Sequence, residues 1–322
     1  MSTSRDPAHG PPDVRARRVG FVGLGAMGSP MSGHLLADGW TVVGHDLDPA
    51  ARARHESSGG LLVEDLAAMA SSVDVVVTSL PGTAALAGVL SALAAGVDGT
   101  HPLVVIETST LALPDKLAAR EAAAAQDIVL LDCPVSGTSA QAQVGDLIAY
   151  LSGAEGRAGD LARPVLTSMT RATHDVGEFG NGTRMKLVAN LLVAVHNLAA
   201  AEALLLAQRS GLDLSLVLGA VGDGAGSSRM LQVRGPLMVD GTYDEATARV
   251  EMFQKDLRAI QALAVAVSSP TPLLAATAVF YDAAMAQGRS DQDTACVFDV
   301  LQQLTSPRSS QRGLAPRPKD RS

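Results

Sequence analysis

The sequence predicts an α/β Rossmann-type N-terminal domain and an all-α C-terminal domain, joined by one long helix. Three observations predict it. Short apolar runs alternate with helical stretches from residue 19 to about 176, the pattern of a parallel sheet covered on both faces. Within the first of these units, Gly23, Gly25 and Gly28 spell G-x-G-x-x-G between an apolar run and a helical one. Beyond Gly182 only helical periodicity remains.

Taken in order, residues 1–17 are rich in Pro, Ser, Asp and Arg and lack the apolar core of a secretory signal, so they read as a disordered extension. Residues 18–23 read as a buried strand. In Gly23-Leu24-Gly25-Ala26-Met27-Gly28 the first glycine permits a tight turn, the second lets the backbone approach a pyrophosphate, and the third lets helix and strand pack closely. The free N–H groups at the helix start, around Ala26 and Met27, would face the phosphates. A helix over 32–38 stops at Gly39, and a second strand over 41–45 ends at Asp46. An acidic residue there suits the hydroxyls of an adenosine ribose, while Asp46 and Asp48 also suit a turn or cap. Further strands are expected at 73–79, 103–107, 128–132 and 147–152.

The segment Gly180-Asn181-Gly182-Thr183-Arg184-Met185-Lys186-Leu187-Val188-Ala189-Asn190 opens the long helix, expected over 183–210 with Gly211 as its stop. Lys186 falls near its first turn, and Asn190, at i+4, shares its face. The positive end of the helix dipole would disfavour the charged lysine, as would a partly dry site, making Lys186 a usable proton donor or acceptor. Helices follow at 214–221, 245–268, 271–287 and 292–304. The predicted organisation is a dinucleotide-binding domain over 18–180, an all-α domain over 181–305 and a disordered tail over 306–322.

Bulk properties exclude several classes. Among 322 residues, 47% are hydrophobic but only 3% aromatic, so the core must be aliphatic. A net charge of −8 without a compensating basic block argues against nucleic acid as a partner. Asn190, His196, Asn197 and Glu202 interrupt the apolar run at 187–207, which suits a buried helix better than a bilayer span. Two distant cysteines, Cys133 and Cys296, suggest reduced thiols and a cytoplasmic location. No zinc-ligand spacing is present, so no metal site is expected.

Four motifs together resemble the β-hydroxyacid dehydrogenase family, which includes 3-hydroxyisobutyrate dehydrogenases and tartronate semialdehyde reductases. They are the glycine run with Ser29-Pro30-Met31, Asp132-Cys133-Pro134-Val135-Ser136-Gly137-Thr138, the segment 180–190, and Lys255-Asp256-Leu257. The resemblance covers roughly 18–304. It implies that Lys186 is the acid/base and that Asn190 orients Lys186 and the substrate. It implies that Ser136, Gly137 and Thr138 bind the substrate, and that Leu80 and Pro81, Thr110 and Lys255 border the cofactor. Three positions depart from the family pattern. Thr138 replaces a glycine and would reshape the pocket; Ala85 replaces an asparagine found in some relatives; Leu47 stands where NADP-using relatives often carry arginine. With Asp46 beside it, Leu47 implies NAD in preference to NADP. The implied protein is a homodimer or homotetramer that transfers a hydride between a small β-hydroxy acid and a nicotinamide. An imine reductase of the same architecture, or a non-catalytic dinucleotide-binding sensor or scaffold, are the alternatives; Lys186 counts against the first, and the intact set of Ser136, Lys186 and Asn190 against the second.

Overall fold

The structure, a computed structural model of the chain, describes residues 17–305. The extensions expected at 1–17 and 306–322 lie outside the described residues, apart from Arg17. Strands β1 (Arg18–Val22), β2 (Thr41–His45), β3 (Leu61–Leu62), β4 (Val75–Thr78), β5 (Leu103–Glu107) and β6 (Ile128–Asp132) form a wholly parallel sheet, in the order β3-β2-β1-β4-β5-β6. The central strands are apolar throughout because helices cover both faces. Those helices include α1 (Gly28–Ala37), α2 (Pro49–Ser57), α3 (Leu66–Ser72), α4 (Thr83–Ala94) and α5 (Leu113–Ala124). One core cluster packs on each side of the sheet. The strand order reverses between β1 and β4, so a crevice opens at their carboxyl ends, the usual place for a ligand in such sheets.

A second, three-stranded sheet follows: β7 (Val135–Ser136), β8 (Ile148–Leu151) and β9 (Ala172–Asp175), with β7 antiparallel and β9 parallel to β8. Only β8 falls within a run expected to be a strand. β7 has two residues and β9 reads ATHD, so neither carries an apolar period. Helices α6 (Ser139–Gln143) and α7 (Gly156–Met169) complete this unit, and a bridge between Asp132 and Ser152 joins the two sheets.

Helix α8 (Asn181–Arg209) is unbroken over 29 residues, including Asn190. It starts two residues before the expected 183 and ends one before 210. Around it pack α10 (Arg229–Asp240), α11 (Val250–Ala266), α12 (Pro272–Ala286) and α13 (Val297–Thr305), with α9 (Leu214–Gly222) against its end. Leu198, Leu204, Leu257, Tyr281 and Val300 form the centre of this core. By length and composition α8 could cross a membrane, yet it lies among these helices, with Asn197 completely buried between them. No strand follows Asp175 among the described residues. Helix α10 is not among the expected helices, and Pro236 lies inside it. Helix α11 starts at Val250, not 245, because the N–H groups of Thr247 and Ala248 donate to Asp293 instead. The helix expected over 292–304 divides into a 3-10 turn, Thr294–Cys296, and α13.

Candidate active site

The loop between β1 and α1 sorts its glycines by crowding. A Cβ on Gly23 would lie 2.1 Å from the Ser79 carbonyl oxygen, and one on Gly28 would lie 1.8 Å from that of Gly23. Gly25 has nothing within 4 Å of that position and is exposed, as is Ala26. Two glycines therefore serve backbone packing, and the third leaves an open face. Met27 is the N-cap of α1 and gives it no side-chain cap. The Ser29 N–H already donates to the Gly25 carbonyl at 2.9 Å and Pro30 has no N–H, so the amides of the turn from Gly25 to Gly28 are the ones open to a ligand, and this arrangement fits a dinucleotide pyrophosphate.

Asp46 follows β2 and reaches across to this loop. Its Oδ2 accepts from the Leu24 N–H at 2.6 Å and its Oδ1 from the Asp48 N–H at 2.8 Å. Leu47 beside it is 89% exposed. Asp48 takes the capping role separately, as N-cap of α2.

A buried glutamate that sequence reasoning missed fixes the next two loops. Glu107, at the end of β5, accepts from the Thr78 hydroxyl and, at 2.7 Å, from the Ser109 N–H. The Ser109 hydroxyl in turn accepts from the Leu80 N–H at 2.7 Å. Glu107 so ties the segment holding Leu80 and Pro81 to the segment holding Thr110. Its signal was present as a carboxylate closing an otherwise apolar run, Leu103-Val104-Val105-Ile106-Glu107.

At the end of β6, Asp132 is wholly buried and saturated. Its Oδ1 accepts from Lys116 Nζ and from the Thr183 hydroxyl, each at 2.8 Å; its Oδ2 accepts from the Thr183 N–H at 2.7 Å. Ser152 Oγ accepts from the Gly182 N–H at 3.0 Å. The start of α8 is thus capped by side chains of the preceding sheets. Gly182 allows the approach: a Cβ there would lie 2.4 Å from the Tyr150 carbonyl oxygen.

This capping bears on the environment of Lys186. Lys186 stands in the second turn of α8, and the Gly182 and Thr183 N–H groups are already matched by Ser152 and Asp132. Lys186 is only 9% exposed, and burial holds its ammonium below the ordinary lysine range; the Asp256 carboxylate partly opposes the shift. Desolvation, not the helix dipole, is the principal cause. Asn190 is also buried, and its Nδ2 donates to Asp256 Oδ2 at 2.9 Å. Burial pushes the Asp256 carboxyl upward, against Lys186, Lys255 and the Asn190 hydrogen bond. Asp256 is therefore no plain surface partner of Lys255. Sequence reasoning had no means to separate the two, since adjacent residues on a helix point to different sides.

Thr110 and Lys255 meet across a cavity of about 290 Å³ between the β4 and β5 loops and α11, with Asp256 also in its wall. Ser136 ends β7, opposite Ile148 of β8, and α8 packs against both strands. Gly137 links β7 to Thr138, and Thr138 is the N-cap of α6: its hydroxyl accepts from the Gln141 N–H, and Gln141 Oε1 accepts from the Thr138 N–H. The side chain where a glycine was anticipated therefore has a local helix-starting role. No cluster of three potential metal ligands occurs among the described residues.

Two family models match consecutive parts of the chain. The NAD-binding domain of 6-phosphogluconate dehydrogenase matches residues 18–177, and the NAD-binding region of NADP-dependent 3-hydroxyisobutyrate dehydrogenase matches 180–301. An L-threonate dehydrogenase from Cupriavidus necator is 32% identical over 297 residues, covering 91% of this chain and 98% of the relative. The chain belongs to the β-hydroxyacid dehydrogenase family. In this family the fold extends to a crystal structure of 3-hydroxyisobutyrate dehydrogenase from Salmonella typhimurium, with TM-score 0.80 and 30% identity, covering 88% of this chain and 100% of that one. An imine reductase from a Pseudomonas species, 17% identical with TM-score 0.56 over 88% of this chain and 99% of its own, shares the fold alone. This β-hydroxyacid dehydrogenase is accordingly an NAD(P)-dependent oxidoreductase acting on the hydroxyl group of a hydroxy acid.

Proposed function

We propose that the enzyme oxidises a small β-hydroxy acid with NAD in preference to NADP, using Lys186 as general base and, in reverse, as general acid. The carrying observation is the buried Lys186, held below the ordinary lysine range on α8, the helix that also packs against β7, the strand of Ser136. The bound nicotinamide supplies a hydride acceptor. Lys186 takes the hydroxyl proton, which a neutral amine does and an ammonium does not. Ser136 and the Gly137 backbone orient the acid, with Thr138 shaping its room. Asn190 fixes Asp256, which faces Lys186 electrostatically. Gly23, Gly25, Ala26, Met27 and Gly28 hold the pyrophosphate; Leu80, Pro81, Thr110 and Lys255 border the nicotinamide half.

The NAD preference rests on Asp46 and Leu47. A carboxylate held at the ribose position repels a 2′-phosphate, and Leu47 offers it no cation. A spectrophotometric panel of β-hydroxy acids with each nucleotide, repeated with Lys186→Ala, tests both parts. Turnover of the panel's best acid by Lys186→Ala at the native rate would refute the acid/base assignment. Assembly into a homodimer or homotetramer is part of the same reading. Val188, Leu192 and Leu206 of α8 remain exposed, a surface suited to a second copy, and light scattering would read the resulting mass.

A further inference from the structure

The proposed chemistry leaves one proton to dispose of. Each oxidation places the substrate hydroxyl proton on Lys186, and that proton must reach solvent before the next turnover. Lys186 is 9% exposed, and a bound hydroxy acid would occupy that opening. Among the described residues Lys186 makes no hydrogen bond or ion pair. Asp256 offers a second connection. Asp256 acts electrostatically on Lys186, has one carboxylate oxygen held by Asn190, and forms part of the wall of the cavity that Thr110 and Lys255 also line.

We propose that Asp256 is the proton-exchange gate between Lys186 and bulk water, working through this cavity. The inference rests on Lys186 being the acid/base. The substrate O–H bond breaks and its proton goes to Lys186 Nζ; the nucleotide, when bound, would supply the acceptor for the carbon-bound hydride. The Lys186 ammonium then gives up the proton, through a water molecule, to the Asp256 carboxylate, which passes it to water in the cavity. Lys186 returns to the neutral amine and Asp256 to the carboxylate, so the cycle closes without another reagent. In reduction the same path runs inward.

Three features suit Asp256 to this task. Asn190 donates to Oδ2 at 2.9 Å, which leaves Oδ1 without a partner among the described residues. The charged groups lining the cavity balance: Lys255 and Arg258 from α11 against Asp256 and Asp115, which accepts from the Thr83 hydroxyl at 2.8 Å. Finally, burial shifts the two groups in opposite directions, Lys186 down and Asp256 up, which brings their proton affinities closer and eases transfer between them.

The test is chemical rescue in the full-length enzyme. Asp256→Ala removes the relay and opens a small space beside the cavity. At fixed pH and ionic strength, its kcat for oxidation should fall about tenfold or more and then climb with added imidazole or formate, saturating with concentration. The native enzyme should show no such dependence. Asp256→Asn can still accept from Asn190, so it preserves the anchor while abolishing proton uptake; it should be slow as well, which a purely structural aspartate would not predict. This variant also keeps the test decisive if Asp256→Ala does not fold. Asp256→Ala unresponsive to imidazole and formate, or Asp256→Asn with native kcat, would overturn the relay. A separate control divides this failure from that of the underlying reading: Lys186→Ala at native rate defeats the acid/base assignment itself, whereas an inactive Lys186→Ala beside an unrescued Asp256→Ala defeats the relay alone.

Discussion

Two buried lysines stand within the same molecule under opposite conditions. Lys116 is wholly buried, and its Nζ lies 2.8 Å from Asp132, which is itself saturated by Thr183 and Ser152. Lys186 is nearly as buried but makes no hydrogen bond or ion pair among the described residues. Burial alone therefore does not make a lysine reactive. A matched ion pair inside a protein serves architecture, and removing one member leaves an uncompensated charge. Lys186 has no hydrogen-bonded partner among the described residues, only the opposing charge of Asp256, and so its ammonium is disfavoured by burial.

The contrast can be broken most severely at its functional end. Lys186→Ala should lower kcat by about 10²–10⁴-fold, the range for a lost general acid or base, and leave nucleotide binding nearly intact. Steady-state kinetics with a fluorescence titration of the nucleotide measure both. Lys186→Arg should be almost as poor because a guanidinium keeps its proton. At the architectural end, Lys116→Met should cost about 3–5 kcal/mol in urea unfolding by leaving Asp132 alone. The double variant Lys116→Met with Asp132→Asn should regain part of that loss. Equal loss of stability from Lys186→Ala and Lys116→Met would erase the distinction.

A third prediction sharpens it through pH. With Lys186 held below the ordinary lysine value of about 10.4, kcat/KM for oxidation should rise with loss of one proton at a pH below that value. The same shift affects stability. Between the folded and unfolded pKa values the unfolded chain binds more protons, so the penalty for burying Lys186 is full at lower pH and disappears as pH rises through that window. Comparing the slope of unfolding free energy against pH with that of Lys186→Met isolates the contribution; identical slopes would remove Lys186 as its source.

A fourth substitution lies outside both lysines. Asp46→Ser with Leu47→Arg should shift selectivity toward NADP by about 1–3 kcal/mol, tenfold to a hundredfold, while leaving the pH limb in place. Equal kinetic constants for NAD and NADP in the native enzyme would defeat its premise. The smallest effect belongs to Thr138→Gly, which should cost a few tenths of a kcal/mol as an N-cap change. If Thr138 also shapes the pocket, the order of preferred acids should change; a uniform scaling of all rates would assign it to the cap alone.

Much of this architecture was legible because it is local. The strands β1, β2, β5 and β6 are apolar runs at the expected positions, and the glycines that crowd or clear the first loop follow a fixed spacing. The long helix was legible from its period and from Gly211. What escaped depends on distance. Glu107 looks like a strand end until Thr78 and Ser109 close on it, and Asp132 until Lys116 and Thr183 do. Asp256 reaches Asn190 from 66 positions away, and no window of sequence spans that. The direction of the Lys186 shift was legible, but the extent of its burial was not, because the groups around it come from other elements. Helix α10 was not anticipated, and it carries Gly235 and Pro236 in its interior, where local propensity is poor.

The saturation of Asp132 has a consequence for how the chain folds. One carboxylate joins α5, β6 and the first turn of α8, segments separated by 16 and 51 positions. These contacts are of high sequence separation, and the helix start they cap belongs to the helical half while the carboxylate belongs to the other. Neither half can complete its own polar inventory when expressed apart from its neighbour. The two should therefore melt in one cooperative calorimetric transition, and a fragment beginning at residue 180 should present a frayed first turn.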